Sequence, residues 1–118
     1  MQDNEIIKDR VQLIIDGISM IEAYCTDIES KNDFIKNTDT LKTLDAVIMR
    51  LQAIGENIKK IETLQPGFFA DKIDYDVTPI IRFRDFISHH YEKLDHEIIF
   101  EIITTEIPLL KNKVQNVQ

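Results

Sequence analysis

Apolar residues in this chain recur at steps of three and four, and few turn residues interrupt them. Only three glycines and three prolines occur in 118 residues, so the sequence offers few places for the chain to reverse. A first stretch, about 4–26, carries an apolar stripe typical of one helix face: Ile7, Val11, Ile14, Ile18, Ile21 and Cys25. The pattern predicts a small number of long helices and an all-α fold.

A second stretch, about 39–63, repeats the apolar stripe: Leu44, Val47, Leu51, Ile54, Ile58 and Ile61. Ile48 and Gly55 lie on a neighbouring row, which indicates burial on two sides. Gly55 has no side chain and would allow another helix to approach closely. Gln65-Pro66-Gly67 is expected to end this helix, since proline and glycine together interrupt helices.

Two further helices are predicted beyond the loop at 68–77. Thr78-Pro79 reads as an N-cap followed by proline at the first helical position, and this helix should run to about 88–91. Asp95 is expected to cap a fourth helix. Pro108 lacks an N–H and should kink or restart that helix near 105–108. We therefore predict a single domain, 1–118, built as an up-and-down bundle of four to five helices.

Size, charge and cysteine usage limit the possible functions. The mass is 13.8 kDa and the net charge is −7. An acidic chain is a poor non-specific binder of nucleic acid, so DNA is not expected and any RNA contact must use a small local basic patch. No apolar run reaches the roughly 20 residues that span a bilayer. Cys25 has no partner for an internal disulfide, which favours a cytoplasmic location.

Arg84 is the most informative residue of the third predicted helix. With about 100° of rotation per residue from Ile80, Arg84 lies about 40° to one side, Tyr91 lies about 20° to the same side, and Ile87 lies about 20° to the other. Arg84 and Tyr91 therefore project from an apolar stripe. An unpaired buried guanidinium is very costly, so Arg84 must meet a carboxylate, a ligand phosphate or a wet cleft.

The partner of Arg84 remains open from the sequence. One alternative is a purely structural ion pair with Glu56 or Glu101. In the other, Arg84 works together with His89, which lies about 140° away on an ideal helix. For these two side chains to converge, the helix must loosen near Ser88, or a second subunit must complete the cleft.

A metal site is not predicted from the histidines. His89 and His90 are adjacent and point apart on a helix, so they form a poor metal pair, and adding His96 does little to improve it. No cofactor is expected either.

Three segments resemble one known family. Arg84, four residues, His89, one residue and Tyr91 form the R-x4-H-x-Y motif of the HepT-like toxins, a branch of the HEPN superfamily. The segment 46–57 contains Ile-Gly-Glu and resembles the second signature of that family. The segment Ile107-Pro108-Leu109-Leu110 resembles its closing Pro-x-Leu. Together these segments cover most of the chain in the order and spacing of the family.

The resemblance implies a helical, two-fold homodimer that acts as a metal-independent ribonuclease toxin in a two-gene toxin–antitoxin module. Arg84 would hold the scissile phosphate, and His89 would act as general base or acid. The partner in such modules is a nucleotidyltransferase antitoxin of the MntA type, which attaches AMP to the motif tyrosine. Tyr91 would be that acceptor.

The chain departs from the family pattern at two positions. Asp85 stands where asparagine is usual, and His90 stands where glycine is frequent. Together with Ser88 and Glu56, these residues are candidates for supporting roles in the site. Two other functions stay open on the residues alone: a non-catalytic module that binds nucleotide or presents substrate to a nucleotidyltransferase, and a plain helical dimerisation protein.

Overall fold

The computed structural model describes residues 2–90 and 95–116, and these residues form an all-helical bundle with no strand. The α-helices are α1 (Gln2–Tyr24), α2 (Thr38–Leu64), α3 (Thr78–His90), α4 (His96–Glu101) and α5 (Ile107–Gln115). Short helical turns lie between them: a 3-10 turn at Lys31–Ile35 and π turns at Phe69–Ile73 and Ile102–Glu106. The predicted fold class is confirmed. No helix of the described residues is both long enough and apolar enough to cross a membrane.

The two long helices pack against each other along the predicted stripes. Every stripe residue within α1 and α2 is buried, and Cys25, which the first stripe also contained, follows the end of α1 and is half-buried. Arg10 contacts Asn57, and Tyr24 contacts Arg50, so α1 and α2 run antiparallel. Burial raises the pKa of the Cys25 thiol to about 11, as expected for a thiol packed against the core rather than a nucleophile.

The connector between α1 and α2 is anchored by one ring and one carboxylate. Phe34 is fully buried and meets Phe100 edge-on, whereas its neighbour Ile35 is exposed. Asp33 accepts hydrogen bonds from the backbone N–H groups of Glu29 and Ser30, at 2.8 and 3.0 Å. Its ion pair with Lys36, followed by these backbone bonds, holds the pKa of Asp33 well below its usual value.

Helix α3 begins differently from the prediction, although at the predicted place. The N–H of Ile81 donates to the carbonyl of Val77, so Thr78 is already helical and is not the cap. The side chain of Asp76 accepts from the N–H of Thr78 at 3.0 Å. Pro79 then falls among the first helical residues, where its missing N–H leaves no bond unmade.

The last helical segment follows the predicted interruption. Asp95 caps α4 by accepting from the N–H of Glu97 at 2.8 Å, as predicted. The chain then passes through the π turn, and α-helix resumes at Ile107. Because Pro108 has no N–H, the carbonyl of Thr104 cannot receive its normal helical bond, which accounts for the irregular turn before it.

Candidate active site

Helix α3 crosses α2 at Gly55, and the contact is so close that no other residue fits there unchanged. A Cβ atom placed on Gly55 would lie 2.5 Å from the Cβ of Arg84 and 2.7 Å from its Cγ. The preceding residue, Ile54, is buried and packs against Gly17 of α1. The following residue, Glu56, faces the head group of Arg84. The Ile-Gly-Glu segment thus supports α1 on one side and Arg84 on the other.

Two carboxylates hold the guanidinium of Arg84. Its Nε donates to Oε1 of Glu56 at 2.6 Å, and its Nη2 donates to the same oxygen. Its Nη1 donates to Oδ1 of Asp85 at 2.8 Å. The ion pair considered from the sequence is therefore present, and its partner is Glu56 rather than Glu101. A guanidinium carries five N–H donors, so two of them have no acceptor among the described residues.

The ion pair lies at the wall of a cleft and not in the core. The side chain of Arg84 is 19% exposed, that of Glu56 is 39% exposed, and that of Asp85 is 50% exposed. Hydrogen bonds to Asp85 and then to Glu56 raise the pKa of Arg84, so the guanidinium stays charged. The same bond from Arg84 lowers the pKa of Asp85, with smaller contributions from the charges of Lys59 and His89. Asp85 therefore lies within electrostatic reach of both Arg84 and His89.

The cleft beside Arg84 is basic, although the chain is acidic. Its volume is about 490 Å³, and four cations line it together with a single carboxylate, that of Glu56. The cations are Arg84, Arg10, Lys59 and Lys60. The sequence predicted that a basic patch would be needed but did not identify its members. Lys59 and Lys60 follow Glu56 by three and four residues on α2, a spacing that could have placed them on the same face.

Helix α3 does not loosen near Ser88. It is α-helical as far as His90, and the hydroxyl of Ser88 donates to the carbonyl of Arg84 at 3.1 Å. His89 and His90 are exposed, and the ring of His90 packs against Phe86 with 4.9 Å between centroids. No hydrogen bond or ion pair joins His89 to Arg84 in the described part of the chain. Of the two routes to convergence considered from the sequence, the loosened helix is therefore wrong.

Two other residues considered from the sequence lie apart from this arrangement. Tyr91 falls outside the described residues. His96 begins α4, and its Nε2 lies 3.3 Å from Oδ1 of Asn32. Among the described residues, His96 shares possible metal-ligand geometry only with its neighbours Asp95 and Glu97, and not with the histidines of α3.

A family model described as "Ribonuclease HepT-like" matches residues 14–117, a range that contains the contact at Gly55 and all of α3. The chain belongs to the HepT-like ribonuclease family. The resemblance to this family is thereby confirmed, and all three segments lie within the matched residues.

Two relatives from Methanocaldococcus jannaschii are similar to this HepT-like chain. One, named "Gamma-glutamylcyclotransferase and putative RNase", is 33% identical over 112 residues, which are 92% of this chain and 46% of the relative. Another, named "Putative RNase", is 35% identical over 80 residues, which are 65% of this chain and 59% of the relative. The chain spans about half the length of the curated relatives it matches. No solved structure matches it significantly.

We expect Gly55→Ala to destabilise this HepT-like domain, because the new methyl group would overlap the stem of Arg84. Overpacking costs about 1–3 kcal/mol, whereas alanine gains about 1 kcal/mol of helix propensity over glycine. The free energy of unfolding, measured by urea denaturation, should therefore fall by up to about 2 kcal/mol. Gly17→Ala is the matched control, since its Cβ would meet only the flexible side chain of Ile54, at 3.1 Å. Equal stability of the two variants would contradict the close contact at Gly55.

Proposed function

We propose that this protein is a metal-independent endoribonuclease and the toxin of a two-gene module, neutralised when AMP is transferred to Tyr91. Membership of a family of HepT-like ribonucleases supports the activity. The observation that carries the proposal is the contact between the two signature segments. Gly55 and Glu56 hold Arg84 at the edge of a basic cleft, with two N–H donors left for a phosphate.

The proposed reaction uses only groups of the protein, the RNA and solvent water. His89 removes the proton from a ribose 2′-hydroxyl, whose oxygen attacks the adjacent phosphorus. The bond from phosphorus to the 5′-oxygen breaks, and the departing oxygen takes up a proton from water. The products carry a 2′,3′-cyclic phosphate and a 5′-hydroxyl. Arg84 stabilises the negative charge that grows on the non-bridging oxygens during the attack.

The site requires two copies of the chain. Because α3 is unbroken through His90, the side chains of Arg84 and His89 point in different directions from one helix. In a two-fold dimer, Arg84 of one subunit would meet the His89 contributed by the other. The outward face of α3 suits such a contact, since Phe86 is 38% exposed and its ring packs against that of His90.

The inactivating partner is proposed to be a nucleotidyltransferase that modifies Tyr91. Tyr91 follows directly after the described end of α3, and it lies seven positions after Arg84 in the sequence. An AMP group attached there would bring a phosphate to the free donors of Arg84. It would also repel the phosphates of RNA, so a single modification would block the anion site.

A second function, a non-catalytic binding module, is favoured by one observation. Glu56 and Asp85 already engage three of the five donors of Arg84. An arginine held in this way would bind the phosphate of a nucleotide without promoting its cleavage. The protein would then retain the nucleotide or present it to a partner enzyme. The cleavage experiment below separates the two functions.

Purified protein should cleave a single-stranded RNA oligonucleotide, and Arg84→Gln and His89→Gln should slow the cleavage by about 10²- to 10⁴-fold. The rate is measured with a fluorescent oligonucleotide in the presence of EDTA, which should not reduce it. Arg82→Gln is the matched control because it removes an exposed cation two residues earlier on α3. Binding of nucleotide without cleavage by any of these proteins would favour the binding module.

Mixing the two inactive variants tests the shared site. After random exchange of subunits between Arg84→Gln and His89→Gln, half of the dimers are mixed, and each mixed dimer keeps one intact pair if the pairs form between subunits. About a quarter of the wild-type rate should then return, from two-fold symmetry alone. If both residues act within one subunit, no activity returns.

Asp85→Asn should increase the activity, since it removes a negative charge that competes with phosphate for Nη1 of Arg84. We expect kcat/KM for RNA to rise about ten-fold, which corresponds to about 1.4 kcal/mol. The gain should shrink at high salt, where charges on exposed groups are screened. A fall in kcat/KM at unchanged stability would mean that Asp85 supports the site.

Co-expression with the nucleotidyltransferase gene of the same module should add AMP to the protein and relieve growth arrest. Intact mass spectrometry should show an increase by one or more AMP units. Tyr91→Phe should abolish both the increase and the relief, while leaving RNA cleavage in place. Tyr75→Phe is a control in which a buried tyrosine is changed instead. An unaltered mass increase in Tyr91→Phe would contradict the proposed acceptor.

A further inference from the structure

We propose that Arg10, Lys59 and Lys60 bind the backbone phosphates that flank the scissile phosphate of a single-stranded RNA. This inference rests on the ribonuclease function proposed above, and it adds the path of the RNA strand across the protein. From Arg84, the strand would follow the cleft between α1 and the C-terminal half of α2.

The three cations begin within one helical turn of the contact that holds Arg84. Lys59 and Lys60 follow Glu56 by three and four residues, about 4.5–6 Å along the axis of α2. Arg10 approaches from α1, and its Nη1 donates to Oδ1 of Asn57 at 3.0 Å. Asn57 directly follows Glu56 in the chain. The cations therefore continue outward from Arg84 along both walls of the same cleft.

These charges are available to a ligand. In the part of the chain that the structure describes, no carboxylate lies within 4.0 Å of a charged nitrogen of Arg10, Lys59 or Lys60. Elsewhere, four lysines form ion pairs: Lys31, Lys36, Lys111 and Lys113. Since no ion pair neutralises these three groups and they lie together in one cleft, the cleft can attract an anion.

The shape and the apolar rim of the cleft favour a nucleic-acid strand over a simple anion. Its volume of about 490 Å³ exceeds what one phosphate needs. Two aliphatic side chains of its lining are exposed, Ile6 by 41% and Leu64 by 37%. A strand offers anionic phosphates together with apolar faces of ribose and base, and these match the two kinds of lining. The net charge of −7 repels a polyanion elsewhere and confines it to this groove.

Binding of an uncleavable RNA tests the assignment directly. The variant is Lys59→Gln/Lys60→Gln, and the probe is a fluorescent 2′-O-methyl oligonucleotide, followed by anisotropy over a range of salt concentrations. Each phosphate contact to a single strand contributes about 0.7 to the slope of log K against log salt. The slope should therefore fall by about 1.4, and affinity should fall about 25-fold at 0.1 M salt.

The matched control is Lys42→Gln/Lys72→Gln, which removes two positive charges from exposed lysines that do not line the cleft. It should bind RNA almost as the wild type does. An equal loss in both double variants would mean that only total charge matters, and would overturn the assignment. An unchanged slope and affinity in Lys59→Gln/Lys60→Gln would overturn it as well.

Cleavage measurements separate this inference from the ribonuclease proposal. Lys59→Gln/Lys60→Gln should raise KM for a long oligonucleotide but leave kcat unchanged, along with the rate for a dinucleotide, which has no flanking phosphates. If the wild type binds RNA through these lysines but cuts nothing, the ribonuclease proposal fails and the binding groove stands. If the wild type cuts RNA and the variant has the same KM and affinity, only the assignment of the cleft as an RNA-binding site fails, and the ribonuclease proposal stands.

Discussion

The stem of Arg84 lies on the bare backbone of Gly55, and the chemistry proposed for this protein depends on that contact. A guanidinium with only 19% of its side chain exposed needs a charged partner, because losing hydration costs several kcal/mol per ion. Glu56 meets that need only because Gly55 lets α3 come close enough. The ion pair therefore does not argue against a functional arginine. The ion pair holds the guanidinium in place at the cleft and leaves two of its N–H donors without an acceptor among the described residues.

The helices could be predicted from the sequence because their cause is local. Apolar residues at steps of three and four give a helix one face to bury, whatever it packs against. Asp95 caps α4 by accepting a hydrogen bond from the N–H of Glu97, two residues later. Thr78 shows the limit of such signals. Thr78 was expected to cap α3, but it is already helical, and its own N–H donates to the side chain of Asp76. Asp76 and Thr78 both carry a side-chain oxygen that can cap a helix, and the backbone conformation determines which of them does so.

The sequence limited the possible partners of Arg84 but did not identify the one that the structure shows. Its place on an apolar stripe required a carboxylate, a ligand phosphate or a wet cleft, and the carboxylates considered were Glu56 and Glu101. The choice depends on where α3 crosses α2, which the sequence does not state. The position of Arg10 could not be predicted, since it contacts Asn57, which is 47 positions away in the sequence. Contacts of this kind arise from packing of whole helices, so the basic cleft became visible only with the fold.

The spacing of the R-x4-H motif itself argues for a site shared by two helices. Residues separated by four or seven positions project from nearly the same face, whereas five positions of about 100° each leave the side chains about 140° apart. The unbroken backbone of α3 and the bond from Ser88 to Arg84 keep that angle from closing. Asp85, one turn before His89, accepts a hydrogen bond from Arg84 but does not bring the guanidinium and the imidazole together. This separation within one helix is why we propose a two-fold dimer, in which the imidazole beside a phosphate held by Arg84 would come from another helix.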